Sequence, residues 1–150
     1  MISQRSLGIP YVVERFGCYG LVLGKMVEEA TGVTFDLSDA LAVLLQAIYE
    51  EYLDSQLWVR KPDHLLRLYL KRADATNWQD LYQVGADGRY WGWVKNKRVD
   101  YTALKFRTKH GNNHFLLGNE SGARFWNPDP RVKLAELESV IYYQCKNRRD

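Results

Sequence analysis

The spacing of apolar residues changes near the middle of this 150-residue chain, and this change limits the possible folds more than any other feature. In the first half, apolar residues recur at helical spacing, as in Leu41, Leu44, Leu45, Ile48 and Tyr52. In the second half they alternate as in strands, with Leu104 and Phe106 on one face and Lys105 and Arg107 on the other. Helices followed by an antiparallel sheet are typical of the α+β class. We therefore predict one α+β domain over 1–150, with helices in about 1–76 and the sheet in about 77–150.

Residues that start and stop helices predict three of them in the first half. The first helix begins near Cys18 and ends at Gly32, because glycine readily terminates helices. Asp36 or Ser38 caps the second helix, whose apolar stripe is assigned to the core. Pro62 opens the third helix.

Turn residues divide the second half into strands. The predicted strands form a hairpin around Asp87-Gly88, made of 82–84 and 89–94, and then follow at 99–108, from 114, from 123 and from about 137 to 144. We expect these strands to form the sheet on which the Cys18 helix packs.

Composition excludes several classes of protein. Apolar residues at 46% and charged residues at 26% are ordinary for a soluble globular chain, which argues against disorder. The start of the chain lacks a basic-then-apolar leader, and no apolar run reaches about twenty residues, so we expect no membrane span and a cytoplasmic location. Two cysteines, Cys18 and Cys145, suit a reducing compartment better than a disulfide framework. The oligomeric state stays open.

Cys18 lies in the segment Phe16-Gly-Cys-Tyr-Gly20, where a loop turns into the first helix. The unpaired N–H groups and positive dipole of a helix N-terminus favour a thiolate, so we expect a lowered pKa for this thiol. A small buried apolar residue at a helix start is the alternative interpretation. Cys18 is the candidate nucleophile.

A candidate base and orienting group lie about a hundred residues further on. His114 opens an apolar strand, and the next strand ends in an Asn-Pro-Asp-Pro corner that contains Asn127 and Asp129. A cysteine nucleophile, a histidine base and an orienting Asn or Asp form the thiol version of the nucleophilic triad. His114 is preferred to His110, which belongs to a Gly-Asn-Asn turn. Asn127 is preferred as the orienting residue, and Asp129 remains an alternative.

The order of these residues resembles the papain-like cysteine peptidases, most closely the bacteriocin-processing type that removes leader peptides. Three short segments carry the resemblance: Ile9-Pro-Tyr11 leading to Gly17-Cys18, then His114-Phe-Leu-Leu117, then Asn127-Pro128. The resemblance implies a papain-like fold and cleavage of a peptide or isopeptide-type amide bond in a site between the helices and the sheet. A similarity to an uncharacterised phage-associated family adds no chemistry.

The chain departs from that family just ahead of the cysteine. The family has a glutamine there whose amide donates to the oxyanion, whereas this chain has Glu14 and Arg15. Losing an oxyanion donor costs on the order of a hundredfold or more in rate. Arg15 or backbone N–H groups are candidate replacements. The alternative function is therefore a catalytically silent papain-like domain that binds a protein or single-stranded nucleic acid.

Basic and aromatic residues alternate between Arg89 and Lys109, which is a pattern found in single-strand binding surfaces. The candidate contacts are Arg89, Trp91, Trp93, Lys97 and Arg98. A solvated sheet edge with inward-facing tryptophans explains the same pattern and is preferred, so a nucleic-acid partner is not the first expectation. The three histidines and two cysteines follow no metal-ligand spacing, so we predict no metal and no cofactor.

Overall fold

The computed structural model describes residues 18–74, 81–86, 93–94 and 97–145. Three helices come first, and five of the strands that follow form one antiparallel sheet. The predicted α+β class is confirmed. None of the helices in these described ranges has the length and apolar character needed to cross a bilayer.

The three helices are α1 (Cys18–Thr31), α2 (Leu37–Tyr49) and α3 (Pro62–Arg72). Helix α1 ends where Gly32 adopts a φ of 77°, a left-handed conformation that glycine takes at little cost. Helix α2 begins with a reciprocal cap, because the Asp36 carboxylate accepts the Asp39 N–H at 2.8 Å and the Asp39 carboxylate accepts the Asp36 N–H at 3.0 Å. Pro62 is the first residue of α3, as predicted.

The described strands are β1 (Leu81–Ala86), β2 (Trp93–Val94), β3 (Lys97–Arg98), β4 (Tyr101–Thr108), β5 (Asn113–Asn119), β6 (Arg124–Trp126) and β7 (Leu134–Cys145). The main sheet has the order β1-β7-β4-β5-β6, and β2 pairs with β3 separately. The long C-terminal strand β7 therefore lies between β1 and β4.

Strand β1 has a partner that was not predicted, and most of the predicted hairpin lies outside the described residues. Strand β1 pairs antiparallel with β7, and Gln83 lies opposite Tyr143. The Asp87-Gly88 turn lies outside the described residues. Turn residues indicate only which neighbouring segments pair. Strand β7 lies inside the sheet, where Tyr142 and Tyr143 are fully buried, and it therefore needs a partner strand on each side.

Helix α1 lies in the middle of the core. Its residues Leu21, Val22, Leu23, Met26 and Val27 are all fully buried. They belong to one apolar cluster with residues of α2, α3 and one face of the sheet. The opposite face of the sheet has a smaller cluster that contains Leu104, Phe106, Leu116 and Tyr142. The N-terminus of α1 is thereby fixed against the sheet.

One part of the predicted core stripe is wrong. Helix α2 buries Ala40, Val43, Leu44 and Ala47, but Leu45 is 65% exposed. Consecutive residues on a helix are turned by about 100°, so a helix that buries Leu44 against α1 directs the next side chain away from it. Helical spacing alone did not identify which apolar residues face the core.

Candidate active site

His114 and Asn127 meet at one end of the sheet. His114 is the second residue of β5 and is 2% exposed, and Asn127 directly follows β6, the neighbouring antiparallel strand. Nε2 of His114 lies 2.7 Å from Oδ1 of Asn127. The sequence has a histidine at the start of one strand and an asparagine just after the next. Because these two strands pair, the two side chains form a direct hydrogen bond.

A second hydrogen bond to Asn127 identifies which ring nitrogen of His114 carries the proton. The Asp129 N–H donates to Oδ1 of Asn127 at 2.9 Å, so this atom is the amide oxygen. An amide oxygen only accepts, and His114 must therefore donate through Nε2–H. In a neutral imidazole the other nitrogen, Nδ1, then has the lone pair. Nδ1 is the basic nitrogen of this site.

The surroundings of His114 favour the neutral ring. Burial lowers the pKa of His114 below its ordinary value, while the hydrogen bond to Asn127 and the negative charge of Asp129 act in the opposite direction. Asn127 holds the ring directly, and Asp129, itself buried, acts on it through charge. At neutral pH the ring is an unprotonated base.

Cys18 is the first residue of α1 and is 4% exposed. Burial raises the pKa of the Cys18 thiol to about 11, although the N–H groups of Phe115, Tyr19 and Cys18 itself point at the sulfur and act in the opposite direction. The predicted lowering of this pKa is therefore wrong, because desolvation outweighs the helix N-terminus. The resting site contains a neutral thiol and a neutral imidazole.

The Phe115 N–H places the thiol at the edge of β5. The Asn119 N–H donates to the Ala123 carbonyl at 3.0 Å, on the β6 side of the strand. N–H groups two residues apart in a strand point the same way, so the Phe115 N–H also points to that side, beyond Trp126, the last residue of β6. The Cys18 sulfur thus lies where β6 would continue if it were longer.

Cys18 and the His114–Asn127 pair therefore lie at the same end of β5, on the edge where β6 ends. Phe115 follows His114, so the N–H that points at the sulfur belongs to the peptide bond between these two residues. The ring of Tyr19 stacks on the ring of Phe115, with centroids 4.3 Å apart, and this contact fastens the start of α1 to β5. The role of Phe115 was not predicted from the sequence, because it depends on β6 ending at Trp126, which leaves the Phe115 N–H without a strand partner on that side.

The residues predicted to support the oxyanion, Glu14 and Arg15, lie outside the described residues. Within the described residues, the site has backbone donors at the first turn of α1, including the Cys18 N–H. Such N–H groups lack intrahelical partners and are suited to bind a developing negative charge.

The predicted nucleic-acid contacts fall only partly within the described residues. Arg89 and Trp91 lie outside them, and for Trp93 only the backbone pairing with Arg98 is described. Lys97 and Arg98 are exposed. The exposure of the aromatic side chains, on which this hypothesis depends, stays a prediction.

Arg98 has a structural role in this conformation. Its Nε lies 2.9 Å from a carboxylate oxygen of Asp100, which is buried. The Arg98 guanidinium also donates to the Cys145 carbonyl at 3.0 Å. Burying a carboxylate without a paired cation lowers the stability of the fold. Arg98 therefore stabilises the sheet beside β7 by pairing with Asp100.

No three or more His, Cys, Asp or Glu side chains cluster as metal ligands would in the part of the chain that the structure describes. Comparisons with protein-family models, with curated proteins and with solved structures gave no match to this chain.

Proposed function

We propose that this chain is a papain-like cysteine hydrolase that cleaves a peptide or isopeptide-type amide bond. The observation that supports the proposal is that the Cys18 thiol and the His114–Asn127 pair lie at the same edge of β5, where β6 ends. The Cys18 thiol lies against the Phe115 N–H, and the His114 ring is held through Nε2 by Asn127. This arrangement leaves the basic Nδ1 of His114 to accept the thiol proton.

In the first step, Nδ1 of His114 takes the proton from Cys18 as the sulfur attacks the substrate carbonyl carbon. The carbonyl oxygen becomes an oxyanion, which the N–H groups at the start of α1 stabilise. His114 then gives the proton to the leaving amine, and the carbon–nitrogen bond breaks. A thioester remains on Cys18.

In the second step, His114 removes a proton from water, and the resulting hydroxide attacks the thioester carbonyl. The carbon–sulfur bond breaks, the acid product leaves, and Cys18 recovers its proton. Asn127 keeps the ring in position throughout, and the charge of Asp129 stabilises the imidazolium that forms in each step.

A catalytically silent papain-like domain is the second candidate, and the burial of Cys18 and His114 favours it. A substrate carbonyl must reach the sulfur for the chemistry to proceed. A domain that only binds a partner needs no such access and tolerates a thiol with a pKa of about 11.

Labelling with an electrophilic thiol probe that carries a peptide recognition group distinguishes an active hydrolase from a catalytically silent domain. We expect the probe to label wild type at Cys18, and to label neither Cys18→Ala nor His114→Gln. Cys145→Ala is the matched control, because this second buried thiol lies in β7 away from the His114–Asn127 pair, and it should label like wild type. Labelling that is insensitive to His114→Gln in a folded protein contradicts the proposal.

A further inference from the structure

The end of the sheet that carries the candidate site is rich in positive charge. Residues 105–133 contain six Lys or Arg residues and two acidic residues. Four of the cations are exposed side chains around this end, which we call the basic rim: Lys109, Arg124, Arg131 and Lys133.

Arg131 joins the basic rim to the hydrogen bonds that hold His114. Its Nε lies 3.5 Å from Oδ1 of Asp129, and its side chain is 65% exposed. The Asp129 N–H donates to Asn127, which in turn holds His114. Arg131 is therefore linked to the hydrogen bonds around His114 through its ion pair with Asp129, while its guanidinium remains accessible to solvent.

Arg124 contacts the residue that lies opposite His114 in the sheet. Its guanidinium lies over the ring of Phe106, 4.8 Å from the ring centroid. Phe106 is directly opposite His114 in the pairing of β4 with β5, so both side chains lie on the same face of the sheet. Each guanidinium thus contacts a residue that is itself a neighbour of His114: Arg124 contacts Phe106, and Arg131 contacts Asp129.

Lys109 and Lys133 lie in two loops that are joined by one backbone hydrogen bond. The Lys109 N–H donates to the Lys133 carbonyl at 3.0 Å, which brings the β4–β5 turn to the segment before β7. Lys109, Lys133 and Arg124 make no ion pair with any residue in the described ranges.

Other cations of the same sheet are neutralised, so the rim differs from its surroundings. Lys105 lies 3.8 Å from the carboxylate of Glu138, and Arg107 pairs with Glu136. Among the described residues, Asp129 is the one carboxylate paired with a cation of the rim, so the rim carries excess positive charge. An anionic ligand would neutralise part of this charge.

We propose that the basic rim binds carboxylate side chains, so that the preferred ligand of this site is an acidic peptide segment. The choice of a peptide and the claim about substrate preference rest on the proposed hydrolase function, whereas the claim that the rim binds carboxylates does not. Guanidinium groups bind carboxylates through paired hydrogen bonds, and Arg124 and Arg131 are both exposed and available to do so. A peptide is favoured over a nucleic acid because the rim surrounds a site built for amide chemistry.

Fluorescence anisotropy with the Cys18→Ala chain measures binding without turnover. The probe is a fluorescein-labelled peptide of alternating Glu and Gly, and its matched control has Gln at each Glu position. Arg124→Gln/Lys133→Gln tests the rim. Lys61→Gln/Arg67→Gln removes the same charge from exposed positions on and just before α3.

We expect the Glu peptide to bind more tightly than the Gln peptide, and added salt to weaken its binding. The rim variant should lose roughly tenfold in affinity, as for a lost hydrogen bond to a charged group, and the α3 variant less than twofold. Three results would overturn the proposal: equal binding of the two peptides, equal loss in both variants, or tighter binding of a single-stranded oligothymidine than of the Glu peptide.

The two proposals fail in distinguishable ways. If the thiol probe does not label wild type but the Glu peptide still binds through the rim, the hydrolase proposal falls and the acidic-peptide surface stands. If the probe labels Cys18 in a His114-dependent way but both peptides bind alike, the hydrolase stands and the acidic preference is overturned.

Discussion

Oδ1 of Asn127 accepts two hydrogen bonds, from Nε2 of His114 at 2.7 Å and from the Asp129 N–H at 2.9 Å. The backbone donor prevents the amide from turning its NH₂ group toward the imidazole. The ring of His114 is therefore held in one tautomer, with its lone pair on Nδ1. The chemistry proposed for Cys18 depends on this relationship.

Substitutions at Asn127 should move the pKa of His114 in opposite directions. Asn127→Asp places a carboxylate against the ring and should raise the pKa. Asn127→Ala removes a hydrogen bond that favours the charged ring and should lower it further. An NMR titration of the imidazole protons of His114 measures both shifts. One pKa shared by all three proteins would contradict the assigned contact.

Stability should fall as the pH drops below the ordinary value for histidine, about 6.5. Because burial lowers the folded-state pKa of His114, the unfolded chain binds the proton more readily than the folded chain. The contribution of the neutral ring is therefore fully present above about pH 6.5 and is lost as the pH falls from there toward the folded-state pKa. Urea unfolding of wild type and His114→Gln at several values in this window measures the difference. Equal pH slopes in the two proteins would contradict the assignment.

The sequence predicted elements whose signals are local. Gly32, Asp36 and Pro62 mark helix ends because each acts through its own backbone or its near neighbours. The faces of β4 followed from alternation, since Phe106 is buried and Arg107 is exposed, as their positions in the strand require.

Features that depend on distant parts of the chain were not predictable in the same way. The pairing of β1 with β7 joins segments about sixty residues apart, and turn residues cannot report it. The pKa of Cys18 rises because helices and sheet together exclude water from the sulfur, whereas the helix start alone suggested the opposite shift. The order of the two motifs in the sequence predicted that His114 lies beside Asn127. The residue opposite His114, Phe106, is identified only by the register of β4 against β5.

Gly118 should not tolerate a side chain. A Cβ at this position in β5 would lie 2.2 Å from Oγ1 of Thr102 and 3.3 Å from the backbone oxygen of Ala123. Gly118→Ala should therefore lower the free energy of unfolding by about 1–3 kcal/mol, as for an overpacked core, and should disturb the β5–β6 pairing that places Asn127. Urea unfolding measures the loss.

The double variant Thr102→Ala/Gly118→Ala is the control for that steric explanation. Removing the Thr102 hydroxyl relieves the shortest contact, so the two substitutions together should cost less than the sum of their separate effects. Additive losses would show that the glycine at 118 is needed for another reason.

The central claim is that His114 acts as the base for Cys18, and the pH dependence of iodoacetamide labelling tests it most directly. Mass spectrometry follows Cys18 and Cys145 separately, in wild type and in His114→Gln. In wild type, we expect the Cys18 rate to rise with deprotonation of the His114 ring and to level off by neutral pH, while Cys145 stays slow. In His114→Gln, the Cys18 rate should rise only toward the thiol pKa of about 11. If both proteins show the same profile, rising only toward that value, Cys18 and His114 do not work as a pair.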